Sequence, residues 1–226
     1  MVARMRVAAL ISGRGSNLEA LIEAARTPGY PAEIALVISN VAGAAGLKHA
    51  AAAGIDSLVV EHGAYPDRET FDRAMDAVLR ERKIDLICLA GFMRLLSPAF
   101  VTGWLGRLIN IHPSLLPAFK GLHPHRQALE AGVKLHGCTV HFVTPEVDDG
   151  PIIAQAAVPV REDDDETALA ARVLEAEHTL YPLAVRLIGG GQVSLQGQRT
   201  RISGIAAGNG DDVFINPGFH PAPDEE

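Results

Sequence analysis

Short apolar runs alternate with helical runs through the first half of this chain, and the apolar runs show no polar alternation. Arg6–Ser12 (RVAALIS), Glu33–Ser39 (EIALVIS), Ser57–Val60 and Ile84–Leu89 read as strands. Between them, Asn17–Arg26, Ala44–Ala53 and Arg68–Arg82 read as helices, the last with Phe71, Ala74, Met75 and Val78 at amphipathic spacing. Pro28-Gly29 and Gly54 stop the first two helices. A strand without a polar side is buried on both faces, and a helix between successive strands makes a parallel crossover. The pattern predicts an α/β fold: a mostly parallel twisted sheet with helices on both faces and a Rossmann-like N-terminal half.

Further strands are expected at Arg107–Ile111, at Leu135–Val143 and at Pro151–Val160. The second of these alternates more and is expected to be partly exposed. A long helix follows at Glu166–Leu187, with Pro182 placed to kink or re-cap it, and a hairpin around Gly197 at Gln192–Ile202. With 226 residues, 48% of them hydrophobic, the chain can bury one substantial core. It is read as one domain over 1–203, with 204–226, rich in Gly, Asn, Asp and Pro, as a flexible tail. A net charge of −7 argues against a nucleic-acid partner, because backbone affinity comes from Lys and Arg. No apolar stretch approaches the ~20 residues needed to span a bilayer, and no signal peptide is evident, so a cytoplasmic location without membrane contact is expected. Cys88 sits in an apolar run and Cys138 beside Gly137 in a strand. Two reduced structural thiols fit better than a disulfide, and neither has zinc spacing.

Two segments carry chemistry. Ser12-Gly13-Arg14-Gly15-Ser16-Asn17 follows the first strand and opens a helix. Glycines let the backbone approach a ligand, and free N–H groups at a helix start favour an anion. The turn lacks a Gly-Lys-Ser/Thr ending, and Leu18 stands where a third dinucleotide glycine would be. One phosphate is therefore a better ligand than NAD; a plain turn capped by Ser16 or Asn17 is the equal alternative. The second segment is Asn110-Ile111-His112-Pro113-Ser114-Leu115-Leu116-Pro117. Asn110 and His112 are two apart at a strand end, so their side chains share a side, where open α/β sheets bind ligands. Together an amide and an imidazole can donate to one oxyanion. A satisfied structural histidine is the competing reading. Asp148, in a loop before Gly150-Pro151, is either a turn former or a carboxylate that favours the cationic ring of a nearby imidazole.

These motifs, with Leu89-Ala90-Gly91-Phe92-Met93-Arg94-Leu95-Leu96-Ser97 and Gly121-Leu122-His123-x-His125-Arg126-Gln127-Ala128-Leu129, stand in the order of a known family. From about Arg6 to about Leu187 the chain resembles the folate-dependent formyltransferase superfamily. Within it, the chain is similar to the phosphoribosylglycinamide formyltransferase family of purine synthesis. The resemblance implies formyl transfer from 10-formyltetrahydrofolate, a co-substrate, to the amine of glycinamide ribonucleotide, with no metal. It implies a formyltransferase fold, with a phosphate-binding half over about 1–105 and a catalytic and folate-binding half over about 106–203. The implied catalytic trio is Asn110, His112 and Asp148. Gly15, Ser16 and Asn17 would bind the substrate phosphate, and Glu177 the ribose; by itself Glu177 reads as a solvated helix residue. Met93, Arg94, Leu95 and Leu96 would line the folate pocket, with Arg68 near the folate glutamate tail. The loop Thr144–Asp148, including Val147, would close over the pterin beside Asn110. The segment from about Leu115 to Gly132 would be a mobile loop, in which Pro124 replaces a frequent threonine and stiffens the backbone. Arg14 is placed to add a phosphate contact.

Three alternatives remain. A 10-formyltetrahydrofolate hydrolase would use the same trio with water, usually behind an N-terminal regulatory domain, whereas this sequence starts at the first strand. The methionyl-tRNA branch usually adds a basic RNA-binding domain, whereas this C-terminal tail is acidic. A non-catalytic anion-binding module would leave the trio unexplained. The partners expected are small molecules only, in a monomer or homodimer.

Overall fold

The computed structural model describes residues 3–204. Strands β1 (Met5–Ile11), β2 (Ala32–Ser39), β3 (Ser57–Val59), β4 (Leu86–Leu89) and β5 (Leu108–His112) are parallel, in the spatial order β3-β2-β1-β4-β5. Strands β6 (Leu135–Phe142) and β7 (Ile152–Pro159) extend the sheet beyond β5, each antiparallel to its neighbour. The helices are α1 (Ser16–Arg26), α2 (Gly46–Ala52), α3 (Arg68–Glu81), α4 (Pro98–Gly103), α5 (Pro124–Glu130) and α6 (Glu166–Gly189). A short 3₁₀ turn spans His62–Ala64, and β8 (Val193–Gln196) and β9 (Arg199–Ile202) form the hairpin expected around Gly197. The expectation of a flexible tail falls, beyond residue 204, outside the described residues.

The sheet is two-sided because successive strand side chains alternate. Val7, Ala9 and Ile11 of β1 pack with Leu18 and Leu21 of α1 and with Val173, Tyr181 and Val185 of α6. Ala8 and Leu10 face the other way, onto Phe71, Met75 and Leu79 of α3 and Phe100 of α4. Trp104, at the end of α4, is buried there; its indole N–H donates to Asp76 at 2.7 Å, and the Arg80 and Arg107 guanidiniums lie 5.1 Å and 4.6 Å from its ring centroid.

Two expectations are corrected, for β6 and for the segment 115–132. β6 is buried from His136 to Phe142, because β5, β7 and α6 cover a strand expected to be partly exposed. α6 continues through Pro182 to Gly189 with no new cap at that proline, and the Tyr30 hydroxyl donates to the Pro182 carbonyl at 2.8 Å. The segment 115–132 is not all loop: α5 begins with Pro124 at its first turn, where a missing N–H costs no helical bond. Cys88 and Cys138 are free and buried, and burial pushes both thiols up to about 12.

Tyr181 ties α6 to the sheet where the site begins. Its buried hydroxyl lies 3.0 Å from the Leu89 carbonyl and 3.3 Å from that of Ile109, bridging the end of β4 and the first half of β5. Replacing Tyr181 by Phe removes the donor and is expected to cost about 1–3 kcal/mol. Urea unfolding checks this; a midpoint unchanged from the parent would remove Tyr181 from the account of how these strand ends are held.

Candidate active site

Asn110 and His112 stand at the end of β5 with their side chains on the same side, as period two requires. The loop after β6 brings Asp148 back to them. Its Oδ2 is 3.5 Å from His112 Nδ1 and accepts from the Gly121 N–H at 2.9 Å. Asp148 takes a left-handed φ of 50°, and neighbouring Asp149 pairs with Lys120. The other His112 nitrogen, Nε2, lies 3.0 Å from the Phe119 carbonyl. Both ring nitrogens thus face oxygens, which suits a ring that donates from both sides. His112 is 6% exposed, so this polarity is held largely away from water.

The 113–118 turn that follows is fastened from beneath. The Thr139 hydroxyl donates to the Ser114 carbonyl at 2.7 Å and accepts from the Leu116 N–H at 3.0 Å. The Gln155 amide donates to the Leu116 carbonyl at 2.9 Å. Below the tip of the loop, His136 packs against Phe119 and lies 3.2 Å from His125. Burial, then the neighbouring His125, lowers His136 to about 4, which leaves it neutral.

His141 is a site residue that sequence reasoning missed. The antiparallel register sets it directly opposite Asn110. Its Nδ1 donates to the Phe142 carbonyl at 3.0 Å, and its Nε2 lies 3.4 Å from Asn110 Nδ2. Burial holds this imidazole below its usual range, so Nε2 keeps a lone pair and accepts from the amide. The Asn110 amide is thereby oriented with Nδ2 toward His141. An imidazole within an apolar strand was the available signal, but its meaning depends on the pairing register.

A second polar centre forms at the first turn. Gly15, with φ 79°, is the N-cap of α1, and no side chain caps the helix. The N–H groups of Ser16, Asn17 and Leu18 therefore lack intrahelical acceptors, which favours an anion. This corrects the expectation of Ser16 or Asn17 as a cap: the Asn17 amide instead donates to Glu177 of α6 at 2.7 Å. Glu177 is 6% exposed, not solvated. Asn17 Oδ1 is buried with no hydrogen-bond partner among the described residues. Gly15 also permits a close approach: a Cβ there would stand 2.5 Å from Gly46 Cα, and the Gly46 N–H donates to the Gly13 carbonyl at 3.0 Å. Arg14 is exposed and in the turn.

The remaining predicted residues lie in three other segments: after β4, in the loop after β6 and at the start of α3. Met93 and Leu95, in the segment after β4, are 73% and 57% exposed, while Arg94 and Leu96 are half-buried. The Arg94 guanidinium lies over Phe71. Val147 is 52% exposed, and the Thr144 hydroxyl donates to the Glu146 carbonyl at 3.3 Å. Arg68 is exposed at the start of α3. No group of His, Cys, Asp or Glu among the described residues is arranged to hold a metal ion, and no helix there is long and apolar enough to cross a membrane.

The sheet of order β3-β2-β1-β4-β5-β6-β7 thus carries an amide and an imidazole at the end of β5, with a carboxylate facing the imidazole. The chain belongs to the formyl transferase family, which matches residues 5–185. It is 47% identical over 210 residues to the phosphoribosylglycinamide formyltransferase of Escherichia coli (strain K12), covering 90% of this chain and 99% of that protein. It is 54% identical over 192 residues to the human trifunctional purine biosynthetic protein adenosine-3, covering 85% of this chain. The chain spans 19% of that longer relative. The solved glycinamide ribonucleotide transformylase 1 from Symbiobacterium toebii superposes with a TM-score of 0.87 at 50% identity, covering 89% of this chain and 95% of that one.

Glu177 supplies a pH test. Burial raises its carboxyl from 4.5 to about 7, against the opposing pull of the Asn17 hydrogen bond. The folded protein therefore binds this proton more tightly than the unfolded chain. That stabilisation is complete below pH 4.5 and is lost as pH rises through about 7. Replacing Glu177 by Gln should remove this component. The stability difference between variant and parent, from urea unfolding at several pH values, should change across this window and level off above it. A difference independent of pH would mean that Glu177 titrates normally.

Proposed function

We propose that this chain transfers the formyl group of 10-formyltetrahydrofolate to the glycinamide amine of 5-phosphoribosylglycinamide in purine biosynthesis. The products are N-formylglycinamide ribonucleotide and tetrahydrofolate. The observation that carries this reading is the convergence of Asn110, His112 and Asp148 at the end of β5, on the sheet whose first turn presents free N–H groups beside Glu177. Gly15, Ser16 and Asn17 bind the phosphate, and Glu177 the ribose. Met93 and Leu95 leave apolar surface open beside β5, which suits a flat pterin. Arg94, Leu96, Thr144 and Val147 complete that pocket, and Arg68 meets the anionic folate tail.

The amine lone pair forms a bond to the formyl carbon, and the carbonyl electrons move onto oxygen. Asn110 Nδ2–H and the cationic His112 receive this oxyanion. His112 Nε2 must exchange the Phe119 carbonyl for the oxyanion, so the 113–121 loop shifts as the substrates enter. Asp148 keeps the ring charged and oriented, and accepts the proton lost by the amine through a water. Collapse of the intermediate breaks the bond to folate N10, which leaves with the proton that Asp148 took from the amine, returned through the same water.

Tetrahydrofolate release followed by absorbance tests the reaction. Release should require glycinamide ribonucleotide; equal release without it would identify a hydrolase. Replacing Asn110 or His112 by Ala should each lower kcat about 10²- to 10³-fold, the usual cost of one oxyanion donor, with the ribonucleotide KM changed little. Retained turnover in His112→Ala would overturn the mechanism.

A further inference from the structure

Ser12 is the first residue beyond β1, the strand at which the sheet order reverses. Binding crevices in such sheets open there, because the chain leaves neighbouring strands in opposite directions. The loops beyond β2 and β4 would be free to part at this point, and Ser12 bridges them. Its hydroxyl accepts from the Met93 N–H at 2.8 Å and donates to Asn40 Oδ1 at 2.6 Å. Its own N–H donates to the Gly91 carbonyl at 3.1 Å. Asn40 is 5% exposed, and its Nδ2 lies 3.4 Å from His62. One half-buried side chain therefore joins the loops after three strands.

The joined segments are the two halves of the proposed site. Ser12 opens the turn whose Gly15–Asn17 amides face the phosphate. Met93 begins the segment whose exposed Leu95 lies in the folate pocket. The far end of that segment is held separately, where the Ser97 N–H donates to buried Asp72 at 2.6 Å. Among the described residues, the side-chain hydrogen bond from the near end to the phosphate turn is the one at Ser12.

We propose that Ser12 is a positioning residue that couples the two substrates: filling the phosphate turn orders the 91–97 segment through the Ser12 hydroxyl, and the folate then binds more tightly. This rests on the formyltransferase reading. A hydroxyl can carry such coupling because it donates to one loop and accepts from the other, so a shift of either alters both bonds.

The test compares the parent, Ser12→Ala and Ser12→Thr. Tetrahydrofolate affinity is measured by titration with and without saturating glycinamide ribonucleotide, and Met93 amide exchange is followed alongside. In the parent and Ser12→Thr, the ribonucleotide should tighten folate binding about 5-fold or more and slow Met93 exchange. In Ser12→Ala both effects should vanish, with Met93 exchanging faster even without ligand. A purely structural role would weaken both affinities yet leave their ratio intact, and that result would overturn the proposal. So would Met93 exchange identical in parent and Ser12→Ala, which needs no ligand and guards against a poorly folded variant when read with thermal melts. Failure of the parent to turn over the two substrates would instead strike the functional reading.

Discussion

β5 is parallel to one neighbour and antiparallel to the other, and the chemistry depends on that change of direction. On the β4 side it continues the nucleotide-binding arrangement, with its end beside the segment that offers Met93 and Leu95. On the β6 side, antiparallel pairing sets His141 against Asn110 and Thr139 against His112. The first pairing orients an amide, and the second lets a threonine hydroxyl anchor the turn after His112. A parallel partner would have required a crossover on this side. The antiparallel return leaves room for the short 143–150 loop, which carries Asp148 back to the imidazole.

Much of the fold was legible because buried parallel strands and amphipathic helices have distinct periods. The order of the five parallel strands comes from the structure, because right-handed crossovers fix the hand of each connection and leave more than one order open. The helices that escaped reading, α4 and α5, are six and seven residues long, too short to show a period. Pro124 misled in a specific way: proline stiffens a loop, yet it is also at home in the first turn of a helix. The exposure of β6 could not be judged from its alternation, because its polar members, His136, Thr139 and His141, are spent on buried contacts rather than on solvent.

The candidate site was legible unevenly for a related reason. Asn110 and His112 are two apart on one strand, so local geometry suffices to join them. Asp148 and Glu177 depend on long-range placement: the first comes from a loop, and the second from a helix that meets Asn17 of the first turn 160 residues away in sequence. His141 depends on register alone. The polar groups gathered here are mostly kept neutral or paired. His136 and His141 are driven toward the neutral ring by burial, and Glu177 toward the neutral acid. His112 and Asp148 instead face each other at 3.5 Å, an imidazole and a carboxylate both nearly out of water.

The meeting of Gly15 and Gly46 bears on how this turn can be redesigned. The two backbones touch, and a methyl group on Gly46 would also strike Ile11 at 2.7 Å. Neither can be exchanged by compensating at the other, since both positions are crowded by main chain. Gly13, two residues earlier, is different: a side chain there meets nothing within 4 Å. A library meant to vary this turn should therefore diversify Gly13 and exposed Arg14 and hold the glycine pair constant. Tolerance to engineering thus changes within three residues, although glycine occupies both ends of that stretch.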